Sequence, residues 1–242
     1  MIGEPALRRA HGEPLLAWMI FTGVCIFAVV LLWYFGLVER MVTGDRTHIS
    51  SIIAVLYVAA SLHCVWRIVA VQREGDAALK AAAAVRDGGP AAADLPRGLI
   101  ARHIRDLTTK AALQGTARLD QTLLLRVLAE RLRGSNHLGA FAGDTLMKLG
   151  LLGTIIGFIM MLVPIAGLDT EDRGAVKASM ALMSDGMAVA MYTTLAGLVG
   201  SILLKVQYYV LDHATARLFT FAVDVTEVHV VSALERQAEA AE

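Results

Sequence analysis

Residues 150–158 read GLLGTIIGF, three glycines and one threonine inside an apolar run. Glycine costs a helix interior about 1 kcal/mol relative to alanine, so a helix this rich in glycine must gain something from smallness. Wound as a helix, Gly150, Thr154, Gly157 and Met161 recur at spacings of four, three and four and share one nearly flat face carrying a single hydroxyl. In lipid, small faces let helix backbones approach closely, and a hydroxyl bonds the preceding turn's carbonyl or reaches a neighbour. Further along, Ala190, Thr194, Gly197 and Ser201 share a face in the same way, with Thr193 beside it. For one such stripe, tight helix packing is the plainest reading.

Composition sets the environment. Hydrophobic residues make up 56% of the chain and charged residues 18%, with a mean hydropathy of +0.59, values that fit a membrane protein better than a soluble domain. Lysine plus arginine and aspartate plus glutamate number 22 each, so no dominant basic field points to nucleic acid. Cys25 and Cys64 stand apart in apolar runs, outside any CxxC spacing, which excludes a metal cluster or disulfide framework. No nucleophile, carboxylate pair or phosphate-cradling loop stands in a credible setting. Neither an enzyme nor a cofactor is expected.

Four stretches, beginning near Leu15, Ile49, Leu149 and Gly186, are long enough to cross about 30 Å of hydrocarbon as helices. Thirteen lysines and arginines lie from Arg67 to Lys148, against two in residues 39–48 and two in residues 169–185, which assigns the long middle region to the cytoplasm. Trp18 and Trp66 then fall at inner boundaries, Trp33 and Tyr34 at an outer one. The fold expected is an all-α integral membrane protein: four transmembrane helices, a helical cytoplasmic insertion between spans 2 and 3, and both termini cytoplasmic. Its expected divisions are a cytoplasmic N-terminus (1–14), transmembrane helices 1 and 2 (15–71), a cytoplasmic helical region (72–145), transmembrane helices 3 and 4 (146–210) and a cytoplasmic helical tail (211–242).

The cytoplasmic region breaks at the glycine- and proline-containing Asp87–Pro96. From Leu99 to about Arg133, Ile100, Ile104, Leu107, Leu119, Leu123, Val127 and Leu132 recur mostly at three- and four-residue spacings, predicting an amphipathic helix or pair. His63 and Arg67, one turn apart at the end of the second span, are read as satisfying neighbours or reaching the interface rather than as a proton relay. Pro164 marks either a hinge or an ordinary kink near the outer end of the third span.

The two small-faced spans together resemble the MotA/TolQ/ExbB proton-channel family. GDTLMKLGLLGTIIGFIMML (Gly143–Leu162) is similar to the approach and pore-lining third span of that family, with a G-x-x-G-T-x-x-G core at Gly150, Gly153, Thr154 and Gly157. GMAVAMYTTLAGL (Gly186–Leu198) is similar to its last span, nearest the four-span stator-like branch. Where stator-type members usually carry a proline before the third span, this chain has Leu146, Met147 and Lys148. The resemblance implies a multi-pass protein of the bacterial inner membrane, a channel subunit of an ion-driven motor. It further implies a ring of five such subunits around a dimer of a single-span MotB/TolR/ExbD-type partner that carries a membrane aspartate.

Ion passage through a bilayer needs an ionisable or strongly coordinating group near its centre, yet the third and fourth spans offer only hydroxyls at that depth. The missing carboxylate must come from another chain. Thr154, Thr194 and Thr193 are the candidate ion-pathway residues, and Gly150, Gly153, Gly157, Ala190, Gly197 and Ser201 the candidate wall. Thr193 lies about 100° around the helix from Thr194, so both cannot face one ion squarely, and Thr194 is the expected pore hydroxyl. Protons are the favoured ion and sodium the alternative, because sodium asks for several oxygen ligands at once. A non-conducting tetraspan scaffold, whose glycine faces merely assemble helices among lipid, is the competing reading.

Overall fold

The computed structural model describes residues 4–36, 39, 47–88, 97–114, 120–167 and 173–239. Seven α-helices are found there: α1 (Glu4–Tyr34), α2 (Ile49–Gly88), α3 (Leu99–Gln114), α4 (Thr122–Arg133), α5 (His137–Leu162), α6 (Arg173–Val225) and α7 (Ser232–Glu239). Short 3₁₀ turns, Gly134–Asn136 and Val163–Gly167, precede and follow α5, and a π turn, Thr226–Val231, joins α6 to α7. No strand occurs among the described residues.

At 1.5 Å per residue, the 40 residues of α2 and the 53 of α6 extend about 60 and 80 Å, at least twice the hydrocarbon thickness. Both therefore continue well past their apolar parts. Three helical stretches are long and apolar enough to cross a membrane: Ile49–Ala84, His137–Ile165 and Arg173–Glu235. The expected first span lies on α1, whose apolar part, Trp18–Tyr34, is shorter. Residues 173–185, read from the sequence as an outer loop, are instead the opening turns of α6. Pro164 neither hinges nor kinks α5, because the α-helix ends at Leu162 and the chain tightens into the 3₁₀ turn that holds the proline.

The chain divides into two compact units. An apolar unit comprises residues 17–64 and 137–209, and a polar unit comprises residues 1–16, 65–136 and 210–242. In the polar unit, α2 buries Ile68, Val71, Gly75 and Ala78, and α6 buries Leu211, Ala214, Leu218, Ala222 and Val225. Both sets step by threes and fours, the spacing of a coiled-coil seam. Against this core α3 presents Ile100, Ile104 and Leu107, all fully buried. The Glu74 carboxylate of α2 accepts the free Ile100 amide at the start of α3 at 3.0 Å, doing by tertiary contact what a local cap would do.

The amphipathic stretch is a pair of helices, and its phase changes between them. Ile100, Ile104, Leu107 and Leu132 are buried as the spacing predicts, but Leu123 is 75% exposed and Leu128 takes the buried place. Carrying the phase of α3 onto α4 puts the face about one residue off, since the intervening chain need not preserve helical register; Leu119 lies outside the described residues. Asp120 anchors the start of α4, accepting the Thr122 amide at 2.9 Å and its hydroxyl at 2.5 Å, and these two bonds hold its carboxyl below the usual carboxylate range.

Arg67 fixes the other end of α4. Its Nη2 donates to the carbonyls of Leu132 at 3.0 Å and Arg133 at 3.4 Å, and to the Asn136 side-chain oxygen at 3.3 Å. Asn136 in turn donates to Asp212 at 2.9 Å and Thr215 at 3.3 Å on α6. One guanidinium thus satisfies the last carbonyls of α4 where Gly134 turns at a φ of +42°. Arg67→Met keeps the stem but leaves those carbonyls unpaired, an expected local loss of about 1–2 kcal/mol. Hydrogen exchange should read it as about 5–30-fold faster exchange across Thr122–Asn136.

Candidate functional site

The site is built on α5 and the part of α6 that lies in the same apolar unit. On α5 the buried residues are Gly139, Gly143, Leu146, Gly150, Gly153 and Gly157, an unbroken four-three repeat in which five of six members are glycine. On α6 the opposing line runs through Gly186, Val189, Thr193, Gly197, Ser201 and Leu204, again stepping by threes and fours. Two such lines form a continuous seam.

Contacts along the seam run antiparallel. A methyl placed on Gly139 would lie 2.1 Å from the Tyr208 ring, and one on Gly153 would lie 2.2 Å from the Thr193 hydroxyl. Nearer the end of α5, a methyl on Gly157 would meet the Gly186 carbonyl at 2.6 Å and the Ala190 amide nitrogen at 2.7 Å. From the other side, a methyl on Gly197 would meet the Leu146 carbonyl at 2.7 Å. At Gly157 and Gly197 the obstruction is backbone, which cannot rotate away. Glycine is required there for close approach, and the helices touch main chain to main chain.

The three candidate hydroxyls occupy three different settings. Thr193 is fully buried in the seam; its hydroxyl donates to the Val189 carbonyl at 2.8 Å, and Gly153 covers it. Thr194, one residue on, is exposed in the single chain; its hydroxyl lies 3.0 Å from the Ala190 carbonyl and 3.4 Å from the Gly150 carbonyl across the seam. Thr154, half-exposed, donates to the Leu151 carbonyl at 2.5 Å. The wall residues Gly150, Gly153, Gly157, Gly197 and Ser201 are buried, and Ala190 is half-buried.

A hydroxyl has one hydrogen to donate, and a backbone carbonyl takes it in each threonine, leaving the oxygen's lone pairs to accept. At Thr154 and Thr194 the oxygen is at least partly open, so each can receive a hydrogen bond from water or from a protonated carboxyl, or coordinate a small cation. From Leu149 to Leu168 and from Gly186 to Leu204 there is no aspartate, glutamate, histidine, lysine or arginine. These segments offer hydrogen-bond acceptors and carry no charged side chain.

Reading a single face through Gly150, Thr154 and Gly157 misses the extension of the seam to Gly139 and Gly143, although both glycines follow the same four-three step. It also misses Tyr208, which shares a hydrogen bond of 2.7 Å with His63 and donates one of 3.3 Å to the Ala60 carbonyl. His63 and Arg67 both have partners within the fold.

Among known proteins, the MotA/TolQ/ExbB proton channel family matches residues 97–221, a little over half of the chain, including α3, α4, α5 and all but the last turn of α6. No individual curated protein and no solved structure matches the chain. The matched region contains the whole glycine seam and all three threonines. By that match the chain belongs to the MotA/TolQ/ExbB proton channel family, membrane proteins of channel type that act in complexes with partner subunits.

Proposed function

We propose that the chain is the channel subunit of a proton-driven motor in the bacterial inner membrane, coupling proton flow to mechanical work through a single-span partner. In this reading α1 supplies a fourth span, the polar unit and both termini lie in the cytoplasm, and five copies close into a ring around a dimer of the partner. A partner aspartate in the membrane carries the proton, while Thr154 and Thr194 accept hydrogen bonds from its protonated carboxyl or from water. Thr193 belongs to the seam that holds α5 against α6. Sodium remains the alternative ion.

The observation that carries this reading is the division of labour around the seam. One threonine is sealed inside it and two stand at its open side with free lone pairs, in helices without a charged group at that depth. A second support is area. Within one chain only 17%, 22% and 28% of the three most apolar helical windows is buried, leaving long apolar faces for lipid and further copies.

Native mass spectrometry of the detergent-solubilised chain tests the assembly. The expected result is a single closed oligomer, a pentamer. A monodisperse, folded monomer would contradict it and favour a non-conducting scaffold.

A further inference from the structure

His103 lies on α3 in the polar unit, 4% exposed, and its Nε2 is buried without a partner at hydrogen-bonding geometry. Gln121, in the turn before α4, is 5% exposed; its Oε1 is likewise buried without a partner at full hydrogen-bonding geometry, and its side chain is the one that interacts with the His103 ring. The other end of the same amide is occupied, for Gln121 Nε2 donates to the Glu227 carboxylate in the π turn. Since α3 packs against both α4 and the π turn, these side chains stand where three elements meet. His103 and Gln121 are thus neighbouring buried polar groups, and because buried polar groups are costly unless satisfied, the cluster is sensitive to the charge on the ring.

We propose that His103 is a proton sensor that controls how α3 and α4 pack on the π turn: neutral, it is held in the polar core; protonated, it loosens that packing. The surrounding charges are few. Asp106 on α3 attracts the protonated ring, and Gln121 favours it, but burial outweighs both and pushes the imidazole below its ordinary 6.5. Glu227 is committed to Gln121, Glu74 of α2 to the Ile100 amide, and the Asp120 carboxylate to Thr122, while Lys110 donates to the Asp120 main-chain carbonyl. His229, on the π turn, is exposed. No carboxylate in this set makes a hydrogen bond to the His103 ring.

The sign follows from linkage. A histidine whose folded value lies below its unfolded value contributes fully above about 6.5, and that contribution is lost as pH falls toward the lowered folded value. Within that window the open fraction rises as pH falls, by no more than about tenfold per pH unit for one proton. The π turn suits a movable joint, because such turns break the regular helical ladder.

The test uses the full chain in lipid nanodiscs. Exchange at the imidazole C2 position, read by mass spectrometry, should give His103 a midpoint below 6.5. Amide exchange across residues 99–133, corrected for intrinsic rates, should rise as pH falls through the same window. His103→Phe should flatten that rise, with His103→Gln used if the phenylalanine variant does not fold, and His229→Gln should leave it unchanged. A midpoint at or above 6.5, or an unchanged profile in the His103 variant, would overturn the proposal. Neither result depends on whether the chain conducts ions.

Discussion

Gly157→Ala is expected to destabilise the apolar unit by about 1–3 kcal/mol, although it adds one methyl and replaces a poor helix former with the best one. Helix propensity alone predicts a gain. The close approach predicts the loss, because the new methyl would sit 2.6 Å from the Gly186 carbonyl and 2.7 Å from the Ala190 amide nitrogen, and neither can move without parting α5 from α6. Thermal unfolding in detergent should show a midpoint lower by about 2–12 °C, using the scaling for chains of this size. Gly23→Ala is the control, since nothing lies within 4 Å of its added methyl, and its midpoint should hold or rise. Equal behaviour of the two variants would mean that the seam is looser than described.

Replacing Thr154 or Thr194 with valine is expected to lower ion flux about 10–100-fold while leaving assembly intact. Valine preserves shape and removes only the oxygen, so the loss is that of one acceptor toward a charged or proton-bearing group, about 1.5–3 kcal/mol. Thr194 is exposed and Thr154 half-exposed in the single chain, so each substitution removes only hydroxyl bonds to nearby carbonyls, among them the long 3.4 Å contact of Thr194 with Gly150 across the seam. Thr193→Val should divide the other way. Its oxygen points into its own helix and toward Gly153, so any cost falls on the seam and shows as lowered stability with near-parental flux per assembled complex. Flux measured for the three variants, normalised to assembled complex, separates a pathway hydroxyl from a packing one. Parental flux in both Thr154→Val and Thr194→Val would return these residues to packing alone.

Smallness was legible in GLLGTIIGF, because few forces other than close approach justify three glycines in an apolar helix. Phase was harder. Gly153 and Thr154 are adjacent, both are small, and Gly150 and Gly157 lie within a turn of each, so the sequence permits a face through either one. The partner helix decides: Thr193 fills the space over Gly153 and leaves Thr154 at the edge. In α4 the phase of Leu128 and Leu132 was likewise hidden, because chain outside a helix does not transmit register. Helix beyond Arg67 and Lys205 was legible, but a division at the membrane boundary hid that α2 and α6 each run on unbroken from their apolar parts, on a three-four step of buried small and apolar residues. His103 and Gln121 escaped as polar side chains that pattern marks as surface and tertiary packing buries.

Flux in proteoliposomes shows whether proton passage needs the partner's carboxylate and the two threonine hydroxyls. The chain is co-reconstituted with a single-span subunit bearing a membrane aspartate, a pH gradient is imposed in sodium-free buffer, and internal pH is followed with a trapped dye. Proton flux is expected that collapses when the partner's aspartate is replaced by asparagine and falls about 10–100-fold with Thr154→Val or Thr194→Val. Flux that persists without the aspartate, or that appears only when about millimolar sodium is added, would contradict that expectation.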